Sequence, residues 1–353
     1  MRPRSGTSLE RIGAGMRAGG ARRRYVHAMG TNLLWFLGGL VLLLVGGRLL
    51  VAASVDTARR LRVSPLVVGL TLVAWGTSAP ELALNLISAW KGRGELAVGN
   101  VVGANICNMA LVLGACAVLR PLIVEERLIR VEIWLNLVIL TFMAGMSLLH
   151  GISKLDAGLM LGVFGAYSVW TIMAAMRQAE TARTPKAADP LGASPMQEKH
   201  PMGWIMIGTS FIGGLALLSF GGSFASDGAS GIAIGLGVPA AVVGVTIVSI
   251  GTTLPEMVTG IMAVRKGQTD LAMGNAIGSC LFNAGAILGL TGLMTTPTLD
   301  ASMRVPLIYM ALLAVVLVPV SRSGNRTVSR VEGLSLLGSY GAFLAISAWG
   351  ASR

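Results

Sequence analysis

Apolar residues fill long runs along this chain, and short polar breaks separate one run from the next. The runs lie at about 31–55, 63–90, 95–118, 129–150, 155–176, 203–226, 238–264, 270–293, 304–321 and 332–350. Each comes near the roughly 20 residues that a helix needs to cross the hydrocarbon layer, and none shows the alternation of a barrel strand. The pattern predicts an all-α, polytopic membrane protein with ten transmembrane helices. One polar interruption is long. From Arg177 to Pro201 the chain carries Pro185, Pro190, Pro195 and Pro201 among mixed charges, without apolar periodicity, and reads as a flexible linker. It parts five spans in 29–176 from five in 203–353, with 177–202 between them and a basic tail, 1–28, in front.

Two of the runs are broken from within. GTSAPE at 76–81 and GTTLPE at 251–256 put hydroxyls, a proline and a glutamate where a spanning helix should be apolar. Aligned without gaps at an offset of 175, residues 69–114 and 244–289 agree at 17 of 46 positions. Hydrophobic bias alone would not keep G-T-x-x-P-E, the K-G turn and G-N-x-x-G-x-x-x-x-N in register. Each half holds an odd number of spans, so the second copy must cross the membrane in the opposite sense. Two inverted five-helix repeats, interrupted at matching positions, point to a secondary transporter with its site near the midplane.

Composition excludes a soluble globule: 54% of residues are hydrophobic, 12% are charged and the mean hydropathy is +0.72, against about a quarter charged in soluble domains. Loop charge then tests the topology. The loops after the odd-numbered spans carry Arg59, Arg60, Arg62, Arg120, Arg127, Arg130, Arg177, Arg183, Lys186, Lys199, Arg265, Lys266, Arg322, Arg326 and Arg330, and the opposite loops only Lys91, Arg93, Lys154 and Arg304. The positive-inside rule makes the first set, linker included, cytoplasmic and both termini external, in a cell (inner) membrane. Seven arginines in the tail, Arg2 to Arg24, contradict that placement. Either the start is mis-assigned and Met29 opens the chain, or a real basic tail belongs to a protein of reversed orientation. No apolar core precedes Met29, so the tail does not read as a cleaved signal peptide. The net charge of +12 is scattered singly over loops and tail, so no nucleic-acid partner is expected. The expected partners are the bilayer and small ions, with no obligatory protein partner.

The broken runs carry the candidate chemistry. Pro80 has no amide hydrogen for the carbonyl of Gly76, and the kink loosens that of Thr77; Pro255 does the same for Gly251 and Thr252. Glu81 lies three residues after Ser78 and four after Thr77, so carboxylate, hydroxyls and loosened carbonyls share one helical face. Glu256, Thr252 and Thr253 repeat the arrangement. These are oxygen donors, which suit hard cations such as Ca²⁺ and Na⁺. In the next span, Gly99 and Gly103, like Gly274 and Gly278, form G-x-x-x-G faces for close helix contact. Asn100, Ala104 and Asn108 follow one stripe, matched by Asn275, Ser279 and Asn283. Two carboxylates and about six neutral oxygens then approach the 6–8 ligands that Ca²⁺ takes. Cys107, Cys116 and Cys280 read as packing residues, and His27, His150 and His200 fall outside the repeats.

These motifs resemble the cation/calcium exchanger superfamily, whose best-known members are sodium/calcium exchangers. The match rests on G-T-S-x-P-E and G-T-T-x-P-E, each followed by G-N-x-x-G-x-x-x-x-N; it covers about 46 residues in each half directly. The resemblance implies ten helices in inverted repeats, Glu81 and Glu256 as central ligands, alternate occupation by Ca²⁺ or Na⁺, and sliding of spans 1 and 6 as a gate. The family often has G-S-N where this chain has Gly103-Ala104-Asn105 and Gly278-Ser279-Cys280, and some members have Asp where Asn283 stands. Cation selectivity and stoichiometry are therefore open.

Plainer readings stand beside these. The glycine stripes serve packing on their own account, Asn108 and Asn283 suit interhelical hydrogen bonds as well as ligation, and Thr77 and Thr252 can bond back to their own helix. Arg48 and Asp227, charged within spans, either snorkel or line an aqueous path. For function, Na⁺-driven Ca²⁺ exchange leads, proton-coupled exchange on the same fold follows, and an intramembrane enzyme would need a nucleophile–base pair or a metal-binding His/Asp cluster facing the repeat, neither of which is visible; no cofactor is expected. A chain beginning at Met29 is expected to insert and transport like the full chain; loss of membrane insertion on deleting residues 1–28 would show the tail to be required.

Overall fold

The computed structural model describes residues 8–181, 202–238, 249–297 and 301–351. It is built of α-helices: α1 (Ser8–Leu61), α2 (Pro65–Thr77), α3 (Ala79–Trp90), α4 (Gly94–Leu119), α5 (Leu128–Leu149), α6 (Lys154–Thr181), α7 (Trp204–Gly235), α8 (Ser249–Thr252), α9 (Leu254–Arg265), α10 (Thr269–Met294), α11 (Arg304–Val320) and α12 (Arg330–Ala351). Every run read from hydropathy has a helical counterpart. Among the described residues α1 from Ala28, α4, α5, α6, α7 and α10 are long and apolar enough to cross a bilayer unaided, and α2 with α3 forms a further, bent span. Helix α6 continues past the expected end of its span to Thr181. Residues 182–201 of the proposed linker, and 239–248 of the seventh span, lie outside the described residues.

The bend between α2 and α3 is 46°. It falls on Ser78 (φ −88°, ψ 6°), and its counterpart between α8 and α9 on Thr253 (φ −92°, ψ 0°), both in the bridge region. The prolines lie two residues further on. Pro80 and Pro255 sit in the first turn of α3 and α9, where a missing amide hydrogen leaves no intrahelical bond unmade. A second pair of irregularities keeps the same offset: α4 widens to the i→i+5 hydrogen-bond pattern over Cys107–Val112, and α10 over Phe282–Ile287. Such single widened turns recur at functional sites. Here each begins one residue before the asparagine of its half, Asn108 or Asn283.

The halves interlock. Helix α1 packs along α7, α5 against α11, α4 against α12, α6 against α10, and α2 against α10, each time joining one half to the other. Lipid supplies no hydrophobic drive for these contacts, so they depend on close backbone approach through small residues. A Cβ on Gly39 would lie 2.4 Å from the amide nitrogen of Ala225, and one on Gly228 the same distance from that of Phe36. Gly274 and Gly278 press on the backbone of α2, where added Cβ atoms would meet the carbonyls of Leu66 at 2.6 Å and Leu70 at 2.7 Å. The matching partner of Gly99 and Gly103 would be 239–248, outside the described residues.

Loops group as the charge pattern requires. β1 (Leu122–Ile123), after the third span, pairs antiparallel with β2 (Thr327–Val328), after the ninth. The amide of Met202 donates to Asp56 (3.2 Å), and Arg60 stacks over Trp204. These segments lie on the arginine-rich face, whereas Gly94 meets Thr295 on the opposite one. Replacing Gly278 with Val is expected to cost about 1–3 kcal/mol or more by overpacking, seen as a lower Tm of the purified protein in detergent. Gly145→Ala, which meets no atom within 4 Å, should leave Tm unchanged or raised.

Candidate functional site

The breaks in α2–α3 and α8–α9 carry the polar groups of the interior. Thr77, Ser78, Glu81, Thr253 and Glu256 are all buried, with Glu81 2% and Glu256 1% exposed. Gly251 is buried beside them, and Gly76 and Thr252 are half-buried. The two halves meet directly: Ser78 Oγ donates to Glu256 Oε1 at 3.0 Å. Thr77 Oγ1 reaches the carbonyl of Val73 (3.1 Å), so its bond back to the helix is real, and it also reaches Asn275 Oδ1 (3.3 Å). Asn275 Nδ2 in turn donates to the carbonyl of Glu256 (3.4 Å). One amide thus ties the first broken helix to the second.

The asparagine turns complete the enclosure by crossing over. The widened turn of α4, with Asn108, packs against α9, which bears Glu256; the widened turn of α10, with Asn283, packs against α3, which bears Glu81. Asn283 Nδ2 donates to Asn105 Oδ1 (3.4 Å), and Cys280 Sγ contacts the carbonyl of Asn105 (3.9 Å). Positions 105 and 280 are repeat equivalents, so their contact marks the pseudo-twofold axis. Cys107, Cys116 and Cys280 are free and buried, as expected for packing residues.

What these oxygens lack is more informative than what they have. Glu81 Oε2, Glu256 Oε2, Asn108 Oδ1, Asn283 Oδ1 and Ser279 Oγ are buried without a hydrogen-bond partner. Among the described residues no lysine, arginine or histidine pairs with either glutamate. Glu132, also fully buried, likewise has an unpartnered Oε2, but its Oε1 takes Arg127 Nε and Tyr167 OH, both at 3.3 Å. An uncompensated buried carboxylate is costly, and unpartnered oxygens of this kind suit a hard cation. The described residues hold no group of three or more His, Cys, Asp or Glu able to hold a metal. The set is two carboxylates with neutral oxygens.

A cavity of about 220 Å³ reaches this region, with Glu81, Gly251 and Thr252 among its lining. Ser219, Ser223, Ser226 and Asp227 of α7 form another wall. The sequence left Asp227 between snorkelling and lining an aqueous path, and its motifs gave no role to the serines of this wall, to Asn105 or to Asn85, whose Nδ2 donates to the carbonyl of Glu81 (2.7 Å). Asp227, the single charge of an apolar span, was the available signal for the first. Asn105 and Asn85 have Cys280 and Gly260 at the equivalent positions, so repeat comparison passes over them.

Inverted, interlocked halves broken at matching depths are the architecture of secondary transporters. The sodium/calcium exchanger protein family matches the chain twice, over residues 31–173 and 207–349, one copy per half, and the chain belongs to that family. It is 35% identical to the putative antiporter CaxA of Alkalimonas amylolytica over 86% of this chain and 94% of that one. It is 29% identical to the sodium/calcium exchanger MaX1 of Methanosarcina acetivorans, over 90% and 98%. The solved sodium-calcium exchanger NCX_Mj superposes with a TM-score of 0.73 at 27% identity, covering 90% of this chain and 97% of that one. The protein is a multi-pass membrane antiporter of cations, and its relatives are ion exchangers rather than enzymes.

If the orphaned oxygens are a cation's ligands, Ca²⁺ at about 100 times its Kd should stabilise the purified protein by about 2.7 kcal/mol, a rise in Tm of several degrees. Glu81→Gln and Glu256→Gln should each abolish the rise while leaving the ion-free protein folded. A full Ca²⁺ shift in either variant would make that glutamate structural.

Proposed function

We propose that this protein exchanges Ca²⁺ for Na⁺ by alternating access, with Glu81 and Glu256 as the charged ligands of one midplane site. Thr77, Ser78, Thr252, Thr253, Ser279, Asn108 and Asn283, with the carbonyls of Gly76 and Gly251, supply neutral oxygen. The observation that carries this reading is the pair of buried carboxylates on broken helices from opposite halves, with no lysine, arginine or histidine paired with either among the described residues. A bound Ca²⁺ balances both charges. With the site empty the charges are uncompensated, and that state is the least able to cross between inward and outward forms, which couples one flux to the other. Several Na⁺ ions need separate oxygen cages, and the neutral ligands provide them. The name of MaX1 and the Na⁺ and Sr²⁺ used with NCX_Mj agree with this assignment. The arginine-rich face is cytoplasmic in this reading, with linker 177–202 on that side and the termini outside.

Proton coupling is the second reading, because two carboxylates without a cationic partner can also be neutralised by protons. Proteoliposomes separate the two. An outward Na⁺ gradient at equal pH on both faces is expected to drive Ca²⁺ uptake, and Ser78→Ala and Thr253→Ala to weaken its Na⁺ dependence. Uptake that ignores Na⁺ and follows a pH gradient would replace sodium with protons as the coupling ion.

A further inference from the structure

Helix α7 has one charged residue, Asp227, in 32. It stands eight residues before the helix end at Gly235, about 12 Å from that end along the axis at 1.5 Å per residue. A carboxylate in an apolar helix persists where water reaches it, and Asp227 is exposed on the wall of the cavity that leads to Glu81. Residues 219, 223, 226 and 227 fall on one helical face. The wall between Asp227 and the interior is therefore a stripe of serines about 12 Å long.

Those serines are arranged to offer oxygen. Ser219 Oγ donates to the carbonyl of Leu215 (2.9 Å) and Ser223 Oγ to that of Ser219 (3.2 Å). With the hydroxyl hydrogens spent on the helix, lone pairs remain for a ligand. Ser226 lies over the signature glycine: a Cβ on Gly251 would sit 2.3 Å from Ser226 Oγ, so the stripe touches the broken helix only because that position has no side chain. At the inner end, Glu81 is 2% exposed, its Oε2 has no partner, and it lines the same cavity. No lysine, arginine or histidine pairs with Asp227 among the described residues.

We infer that Asp227 forms an outer capture site for a hydrated divalent cation, which then passes along the serine stripe of α7 to Glu81. The inference rests on the exchange reading for its cargo. It adds a sidedness that reading does not contain. Chain direction in α3 and α7 places Asp227 on the side of the loops at 91–93 and 236–238, so capture acts from that membrane face alone. A carboxylate at the mouth raises the local concentration of divalent ions and their on-rate, and salt screens the effect.

The test compares right-side-out and everted membrane vesicles from the same cells, with initial Ca²⁺ uptake measured against external Ca²⁺. In Asp227→Asn the half-saturating Ca²⁺ should rise roughly 3- to 10-fold in one vesicle type only, at low ionic strength, with the maximal rate changed by less than about twofold. Asp227→Glu should behave as wild type, and N-methylglucamine chloride at about 0.5 M should shrink the difference to below about twofold. An unchanged half-saturation on both faces would overturn the proposal. So would a change that is equal on both faces or indifferent to salt, or a loss of flux with the Ca²⁺ thermal shift intact. Should Na⁺ fail to drive uptake, the same comparison under a pH gradient reads Asp227 independently of the coupling ion.

Discussion

A carboxylate that gives up its water inside a bilayer must be compensated by something other than solvent, and the architecture of this protein follows from having two of them. Regular helix leaves no free oxygen to share with an ion. The spans that carry Glu81 and Glu256 are therefore broken, at Ser78 and Thr253. Arg127 and Tyr167 show how the same chain treats a buried glutamate meant to stay put. Among the described residues no such cation is set against Glu81 or Glu256.

This arrangement exists only where the halves meet. Ser78 of one half bonds Glu256 of the other, Asn275 clasps both broken helices, and each asparagine turn packs on the opposite glutamate helix. The two repeats are units of sequence, while the packing unit is the interlocked pair. Without a hydrophobic force between helices in lipid, the seams depend on glycines that let backbones touch. Along α1 and α7 these close backbone contacts recur at Gly39, Gly46, Gly214, Gly221 and Gly228. The serine stripe of α7 also lines the cavity, so one helix borders both the seam and that cavity.

Duplication has not left the site symmetric. Asn105 and Cys280 face each other on the axis, and Asn275 bridges the halves through a partner, Thr77, whose equivalent is Thr252. Ala104 lacks the hydroxyl that Ser279 has, and Asn85, which holds the carbonyl of Glu81, has glycine as its counterpart. The two carboxylates thus stand in different neutral surroundings.

The ten spans, the inverted duplication and the paired loops were legible in the sequence because each follows from a local quantity: run length, register of a repeat, or the sign of charge in a loop. Glu81 and Glu256 were legible for the same reason, since an acid beside proline in an apolar run is locally anomalous. The position of the breaks was not. Proline marks them, but the chain departs from helical geometry at Ser78 and Thr253, where the turn is set by packing of the two halves and proline fits harmlessly into the next helix. Nor could sequence tell which oxygens would end without partners. Whether Asn108, Asn275 or Asn283 is satisfied depends on what the other half brings within about 3.5 Å, and only the tertiary structure decides that.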